Sequence, residues 1–496
     1  MIDLVALSAA ELQELQIEGS LTSTQLAKLS LLQIEKYDKK GPELRAMIAI
    51  VPEDIILERA AFLDEERRAG HYQYSSRVGK LTTQGSWALA KSVHKAQAPL
   101  VQKVCKNSVF HRLFTDFEKL LDAGVIIIGK TSLTEFGSAK GPEGVGGLSA
   151  INGQSQSAYV EGFVDRNDEP FAHTNPGGSS TGSAIGVAAG YSPISIGGEA
   201  NGSIQTPASR SNLYALKITP QTLSTEGIFH IVPTVETLGG MAKSVADLEA
   251  LTKVILQTSK KPVKINVDHS TTWQNYTTGF VNADDWRLPK DLFTSTEEYR
   301  RQIDTAYTGI QEKIKALGGS VVYPVKPPHP SSIDGGFLAI VNGEFRDTVD
   351  AYLQGLEQSD VRSLADIIQF NRDRPELQAG ISQPWFIGPQ EFQQTPEEYT
   401  KIREQVREDA GKNGLFRVME ELSLDIISAP TDGPICEIAA LAGAPTATVP
   451  LGILEPSGRP FGLTFVGRPG SEALLIQLMH LYEAAAPKRK LPALVK

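Results

Sequence analysis

Residues 176–207 read PGGSSTGSAIGVAAGYSPISIGGEANGSIQTP, and the rest of the chain is organised around them. A Gly/Ser/Thr cluster opens the stretch. A small and apolar run from Ala184 to Ala189 follows, and a second Gly-rich cluster closes on Gly202-Ser203. No charge occurs from Gly177 to Gly198, so the segment is expected to be buried. Buried backbone polar groups need partners. Glycine tolerates positive φ without a Cβ clash, so N–H groups here can turn toward one small volume. N–H groups converging beside a serine suit acyl transfer, in which the hydroxyl attacks a carbonyl and the N–H groups hold the oxyanion. On composition alone such clusters more often read as turns. A phosphate loop would need G-x-x-x-x-G-K-[ST], and no lysine follows Gly182 or Gly202. The nucleophile elbow G-x-S-x-G is absent at Ser179 and Ser203, which disfavours an α/β-hydrolase.

At these residues the chain resembles the amidase signature family, which carries a GGSSGGSAxxVAAG segment followed by GTxxGGSIxxPA. Here the matching residues are Gly177-Gly178-Ser179-Ser180-Thr181-Gly182-Ser183-Ala184, Val187-Ala188-Ala189-Gly190, and Gly197 through Ala208. The resemblance implies Ser203 as nucleophile and Ser179 as bridging serine. It also implies an oxyanion hole from the backbone at Ala200, Asn201 and Gly202, with Gly178 beside it. Asn201 stands where the family usually has glycine, and Glu199 and Gln205 stand where many members carry Asp and Arg. The third member of the family's triad is a lysine upstream, kept neutral so that it accepts a proton through the bridging serine. Burial or neighbouring dipoles must lower its pKa for this.

That lysine normally lies on a GxPxxxKD strand before a TTAGS element. Thr82-Thr83-Gln84-Gly85-Ser86 matches the second element, but only HYQYSSRV stands between Gly70 and Gly79. Lys80 is carried as the candidate base; a solvated loop lysine is its plainer reading. Lys91 and Lys95 are weaker candidates. About residues 101–115 look like extra material before Asp122-Ala-Gly-Val-Ile-Ile-Ile-Gly-Lys130, which fits a family strand. A loss and a gain so close together fit either divergence or misjoined coding segments.

The chain has 496 residues, 41% hydrophobic and 21% charged, with a formal net charge of −10. This is an ordinary globular composition. The acidic balance argues against nucleic-acid or anionic-membrane partners. Two cysteines, Cys105 and Cys436, cannot build a disulfide framework and point to a reducing, cytoplasmic setting. The start MIDLVALSAAELQEL lacks a basic n-region, and no run of about 18 apolar residues exists, so neither a secretory signal nor a membrane span is expected.

Residues 4–70 read as helices, with a capping box at Ser8 and Glu11 and starts at Thr22 and Pro52. Residues 137–176 read as loop, and His173 as structural or solvent-facing. Leu213–Pro220 reads as a buried strand, Thr222–Phe229 as a turn into another, and Ser244 as a helix cap. In 260–420 helical patterns alternate with Pro-rich joints. Trp385, Phe386 and Phe392 could line a substrate pocket there or pack in the core. Cys436 reads as a small core residue. Family-like elements return at 442–452 and 462–472.

Strands alternating with helices through 120–260 and 420–490 argue for an α/β fold, one large domain with a central mixed β-sheet flanked by helices. The expected division is an N-terminal helical layer at 1–70 and an amidase signature domain at 71–496, with a core motif at 176–208 and a variable region at 260–420. By resemblance the chain is an amidase-type hydrolase that cleaves a carboxamide or ester of a small molecule and uses no cofactor or metal. The expected partners are that small amide and, in a homodimer, a second copy of the chain. Two other readings remain: a catalytically impaired binding or scaffold relative, and a glutaminase subunit of a tRNA amidotransferase.

Overall fold

A computed structural model of the chain describes residues 2–69, 83–94, 123–141, 145–165, 173–224, 227–259, 263–288 and 296–495. Its centre is an eight-stranded sheet. In chain order the strands are β1 (Ile194–Glu199), β2 (Tyr214–Lys217), β3 (Thr237–Ala242), β4 (Thr277–Val281), β5 (Ser320–Val325), β6 (Ile426–Pro430), β7 (Thr446–Ile453) and β8 (Pro460–Val466). Across the sheet the order is β5-β4-β6-β8-β7-β2-β3-β1. The pairs β5/β4 and β4/β6 are parallel and the rest antiparallel, so the sheet is mixed as the alternation of elements suggests.

Successive residues of a strand point to opposite faces, and here both faces are covered. Phe280, Ile426 and Phe465 join one core with the helices Val245–Ile255, Glu297–Ala316 and Glu472–Ala485. Their neighbours Val281, Ile427 and Val466 join another core with the helices Gly336–Gly355, Leu364–Asp373 and Ile435–Ala442. Most of the 260–420 region is therefore a helical layer on one face of the sheet.

The N-terminal helices form where their caps predict. Ser8 and Glu11 close a capping box on Ala9–Ile17, and Thr22 and Gln25 close one on Ser23–Tyr37. Distant carboxylates complete both helix starts. Asp247 accepts from the N–H groups of Ala9 and Ala10 at 2.6 and 2.9 Å, and Asp64 from those of Ser23 and Thr24 at 2.6 and 3.0 Å. A carboxylate there satisfies orphan donors and meets the positive end of the helix dipole.

Two local expectations change. The region 4–70 is not wholly helical, because Met47–Ile50 pairs antiparallel with Gly129–Thr131. Four residues followed by Pro52 cannot sustain a helix but can fill one edge position. After Gly227 the chain makes turns, and the next strand begins only at Thr237. No helix among the described residues is long and apolar enough to cross a membrane.

Candidate active site

The sheet brings two serine-bearing arms to one place. The first arm runs from 176 through the helix Thr181–Ala188, every residue of which is buried. The second leaves β1 at Glu199, turns through 200–204 and enters the short helix Gln205–Arg210. They join through Ser180: its N–H donates to the Ser203 carbonyl at 3.0 Å, and its hydroxyl donates to the Gly198 carbonyl at 3.0 Å. The same hydroxyl accepts from the Gly198 N–H at 3.1 Å.

Close approach shapes the first arm. A Cβ at Gly178 would lie 2.5 Å from Thr134 Oγ1, and one at Gly182 would lie 2.2 Å from the Ala46 carbonyl oxygen. The Gly178–Ser179 peptide bond is cis. Ser179 is buried, and its carbonyl accepts from Thr134 N–H at 3.0 Å.

Buried charge shapes the second arm. Glu199 Oε2 accepts from the N–H groups of Ile204 and Gln205 at 2.7 and 2.9 Å, satisfying donors at the start of the short helix. Lys217 Nζ lies 3.8 Å from Glu199 Oε1 and donates to the Ala200 carbonyl at 2.5 Å; both side chains are fully buried. Burial pulls the Lys217 pKa down and the Glu199 charge opposes it, with a net lowering. The pair thus braces the turn 200–203 from below. The signal for it is present in the sequence: Lys217 is a lone charge in the apolar run LYALKI, and a buried charge requires a partner.

On that brace, Gly202 takes φ +130°, in the region that favours glycine. Asn201 does not adopt a positive φ, so the side chain in place of the usual glycine is accommodated; it lies beside Glu437, whose carboxyl pKa burial raises and Asn201 partly lowers. Among the described residues no protein group accepts from the N–H groups of Asn201, Gly202 or Ser203. Ser203 is half-buried. Cys436 is buried beneath the turn, 3.6 Å from where a Gly202 Cβ would be, and burial pushes its thiol up, so it is inert core.

A cavity of about 400 Å³ lies against the first arm, lined by Ser179, Ser180, Gln84, Phe229, Lys130 and Glu236 among others. Ser203 is not among its lining residues. Glu236 accepts from the N–H groups of Ile231 and Val232 at 2.7 and 3.3 Å. Burial would raise its carboxyl, but the neighbouring His230 and these donors outweigh it and hold it lowered. Lys80 lies outside the described residues. Lys91 is exposed and pairs with Asp360 at 3.0 Å. Among the described residues no lysine is hydrogen-bonded to Ser179, and Lys130, which sequence reading did not single out as a base, is the lysine that lines the cavity. Phe386 packs between Phe136 and Phe345, with ring centroids 5.1 and 5.5 Å away, whereas Trp385 is exposed. Neither they nor Phe392 line the cavity. The His173 ring lies tilted beside Tyr299, with centroids 6.5 Å apart.

A family model described as Amidase matches residues 115–435. The chain is 28% identical over 521 residues to a probable amidase of Arabidopsis thaliana, covering 96% of this chain and 90% of that protein. It is 26% identical to the A-type subunit of the glutamyl-tRNA(Gln) amidotransferase of Staphylococcus haemolyticus, covering 96% of each. Among solved structures, the native peptide amidase of Stenotrophomonas maltophilia superposes with a TM-score of 0.81 at 27% identity, covering 99% of both chains.

Proposed function

The chain belongs to the amidase family, and from that premise we propose that it hydrolyses the carboxamide of a small molecule through an acyl-enzyme on Ser203. Ser203 Oγ attacks the carbonyl carbon and its proton passes by way of Ser179 to a lysine amine. The N–H groups at Ala200, Asn201 and Gly202, with Gly178 beside them, face the oxyanion. The tetrahedral intermediate collapses, the leaving amine takes the proton back along the same relay, and water then deacylates the serine.

One observation carries this reading: the Ser180-to-Ser203 main-chain bond, which fixes residue 203 against the turn bearing Ser179. N–H groups at 201–203 that no acceptor among the described residues takes support it, because such a donor is available to a developing charge. Lys80 is the proposed base. A second reading of the base is Lys130, favoured because it lines the cavity that Ser179 lines. Full-length similarity to the amidotransferase protein favours a second reading of the substrate, glutamine, with the ammonia passed to a partner protein.

Steady-state hydrolysis of a panel of small primary amides, with glutamine included, tests the proposal. Ser203→Ala should lose on the order of 10⁴-fold or more in kcat, and Ser179→Ala about a hundredfold or more. Lys80→Met and Lys130→Met separate the two bases: loss confined to one names it, and full activity in both removes these two lysines from the relay.

A further inference from the structure

Away from the serine arms, Glu249, His269 and His480 present one ligand atom each, all within 4.8 Å of one another. None of the three lines the cavity. We propose that they form a binding site for a borderline divalent cation of the zinc class, which ties three separate segments of the chain together. Glu249 comes from the helix Val245–Ile255, His480 from the helix Glu472–Ala485, and His269 from the segment 263–272.

The Glu249 carboxylate is buried and divided between two partners. Oε1 accepts from Lys253 Nζ at 2.5 Å, and Oε2 lies 2.7 Å from His480 Nε2. The His269 ring stands edge-on to the His480 ring, with centroids 5.0 Å apart. A separate bond sets that placement: the Asp268 N–H donates to Gln477 Oε1 at 2.7 Å, one turn before His480 on the same helix. His269 is exposed and free to close the remaining distance. Zinc sits about 2.0–2.2 Å from imidazole nitrogen and carboxylate oxygen, so ligand atoms arranged tetrahedrally around it lie roughly 3.3–3.6 Å from each other. Rotation of the exposed His269 side chain supplies the contraction, and the His480–Glu249 pair opens from 2.7 Å to admit the ion.

Two imidazoles and one carboxylate select zinc, cobalt or nickel over magnesium or calcium, which prefer all-oxygen shells. The ion takes the place of the hydrogen held between His480 Nε2 and Glu249 Oε2. In a neutral ring that hydrogen moves to Nδ1 as the ion takes Nε2, and in a charged ring, which already carries a hydrogen on Nδ1, it is released to solvent. Lys253 remains on Oε1 and keeps the carboxylate oriented, as outer-shell donors do around metal ligands. Water fills the coordination position left on the exposed side. The site rests on no assumption about the amidase chemistry.

The test uses the full chain, stripped with a chelator, and two probes: zinc chloride followed by calorimetry, and cobalt chloride followed by visible absorption. One equivalent of zinc should bind and raise the Tm, since a ligand that binds only the folded state stabilises it. Cobalt should give ligand-field bands. His269→Ala should weaken zinc about tenfold or more and leave metal-free amide hydrolysis unchanged. His480→Gln, a milder change in the half-buried position, should abolish the cobalt bands. Failure of the parent chain to bind zinc stoichiometrically, or equal zinc affinity in both variants and the parent, would overturn the site.

Discussion

In the arm from 176 to 190, glycines let main chain lie directly on main chain; the Gly182 N–H donates to the Ser132 carbonyl at 2.9 Å, a contact that a side chain would block. In the arm from 199 to 208 Ser203 is only half-buried, and a buried carboxylate and a buried lysine hold the turn instead. One arm is fixed by volume and the other by charge. The difference teaches where each tolerates change. Steric contacts forbid added atoms, whereas a buried ion pair forbids the loss of one partner alone.

The largest expected effect comes from breaking the charged arm. Lys217→Met leaves Glu199 buried without its countercharge and frees the Ala200 carbonyl, at a cost of about 3–5 kcal/mol in urea unfolding. Adding Glu199→Gln should recover part of that loss, because an uncharged pair avoids the desolvation of both ions. A double variant no more stable than Lys217→Met would show that the pair is not the brace.

The steric arm is probed within one helix. Gly182→Ala should cost about 3 kcal/mol, since its Cβ meets the Ala46 carbonyl oxygen and the Ser132 nitrogen at 2.2 and 2.5 Å. Gly186→Ala should be neutral or gain up to about 1 kcal/mol, because its Cβ finds only Tyr191 at 3.7 Å and alanine is the better helix former. Equal effects at both positions in thermal unfolding would contradict the steric account.

Another buried lysine sharpens the comparison through pH. Lys243 donates to the Leu4 and Leu7 carbonyls rather than to a carboxylate. Burial pushes its pKa down to about 7, with Arg489 adding to the effect and Asp247 opposing it. The unfolded lysine keeps its proton up to its ordinary value of 10.5, so between about pH 7 and 10 the unfolded state binds more protons. Stability from this group therefore rises with pH across that window, by about 1.4 kcal/mol per unit. Lys243→Met should flatten the slope in pH-dependent unfolding; an unchanged slope would place the amine's titration elsewhere.

What could be read in advance follows the range of each signal. The caps at Ser8, Thr22 and Ser244 depend on residues three positions apart, and all three form. The 176–208 motif places both serine arms because its glycines and hydroxyls lie within one continuous stretch. The strand Met47–Ile50 was illegible because its partner Gly129–Thr131 is distant in sequence and four residues carry no period. The partnership of Glu199 with Lys217 depends on the sheet bringing the end of β1 close to β2, although each residue alone was conspicuous as a charge in apolar surroundings. Phe386 could not be divided between pocket and core by residue type, and the ring contacts with Phe136 and Phe345 assign it to the core.

Labelling with a fluorophosphonate, followed by peptide mapping, tests most directly whether Ser203 is the nucleophile. A single adduct on the peptide bearing Ser203, absent from Ser203→Ala and diminished in Ser179→Ala, is the predicted result. An adduct on a different residue, or a Ser203→Ala variant that still hydrolyses amides at the parent rate, would contradict it.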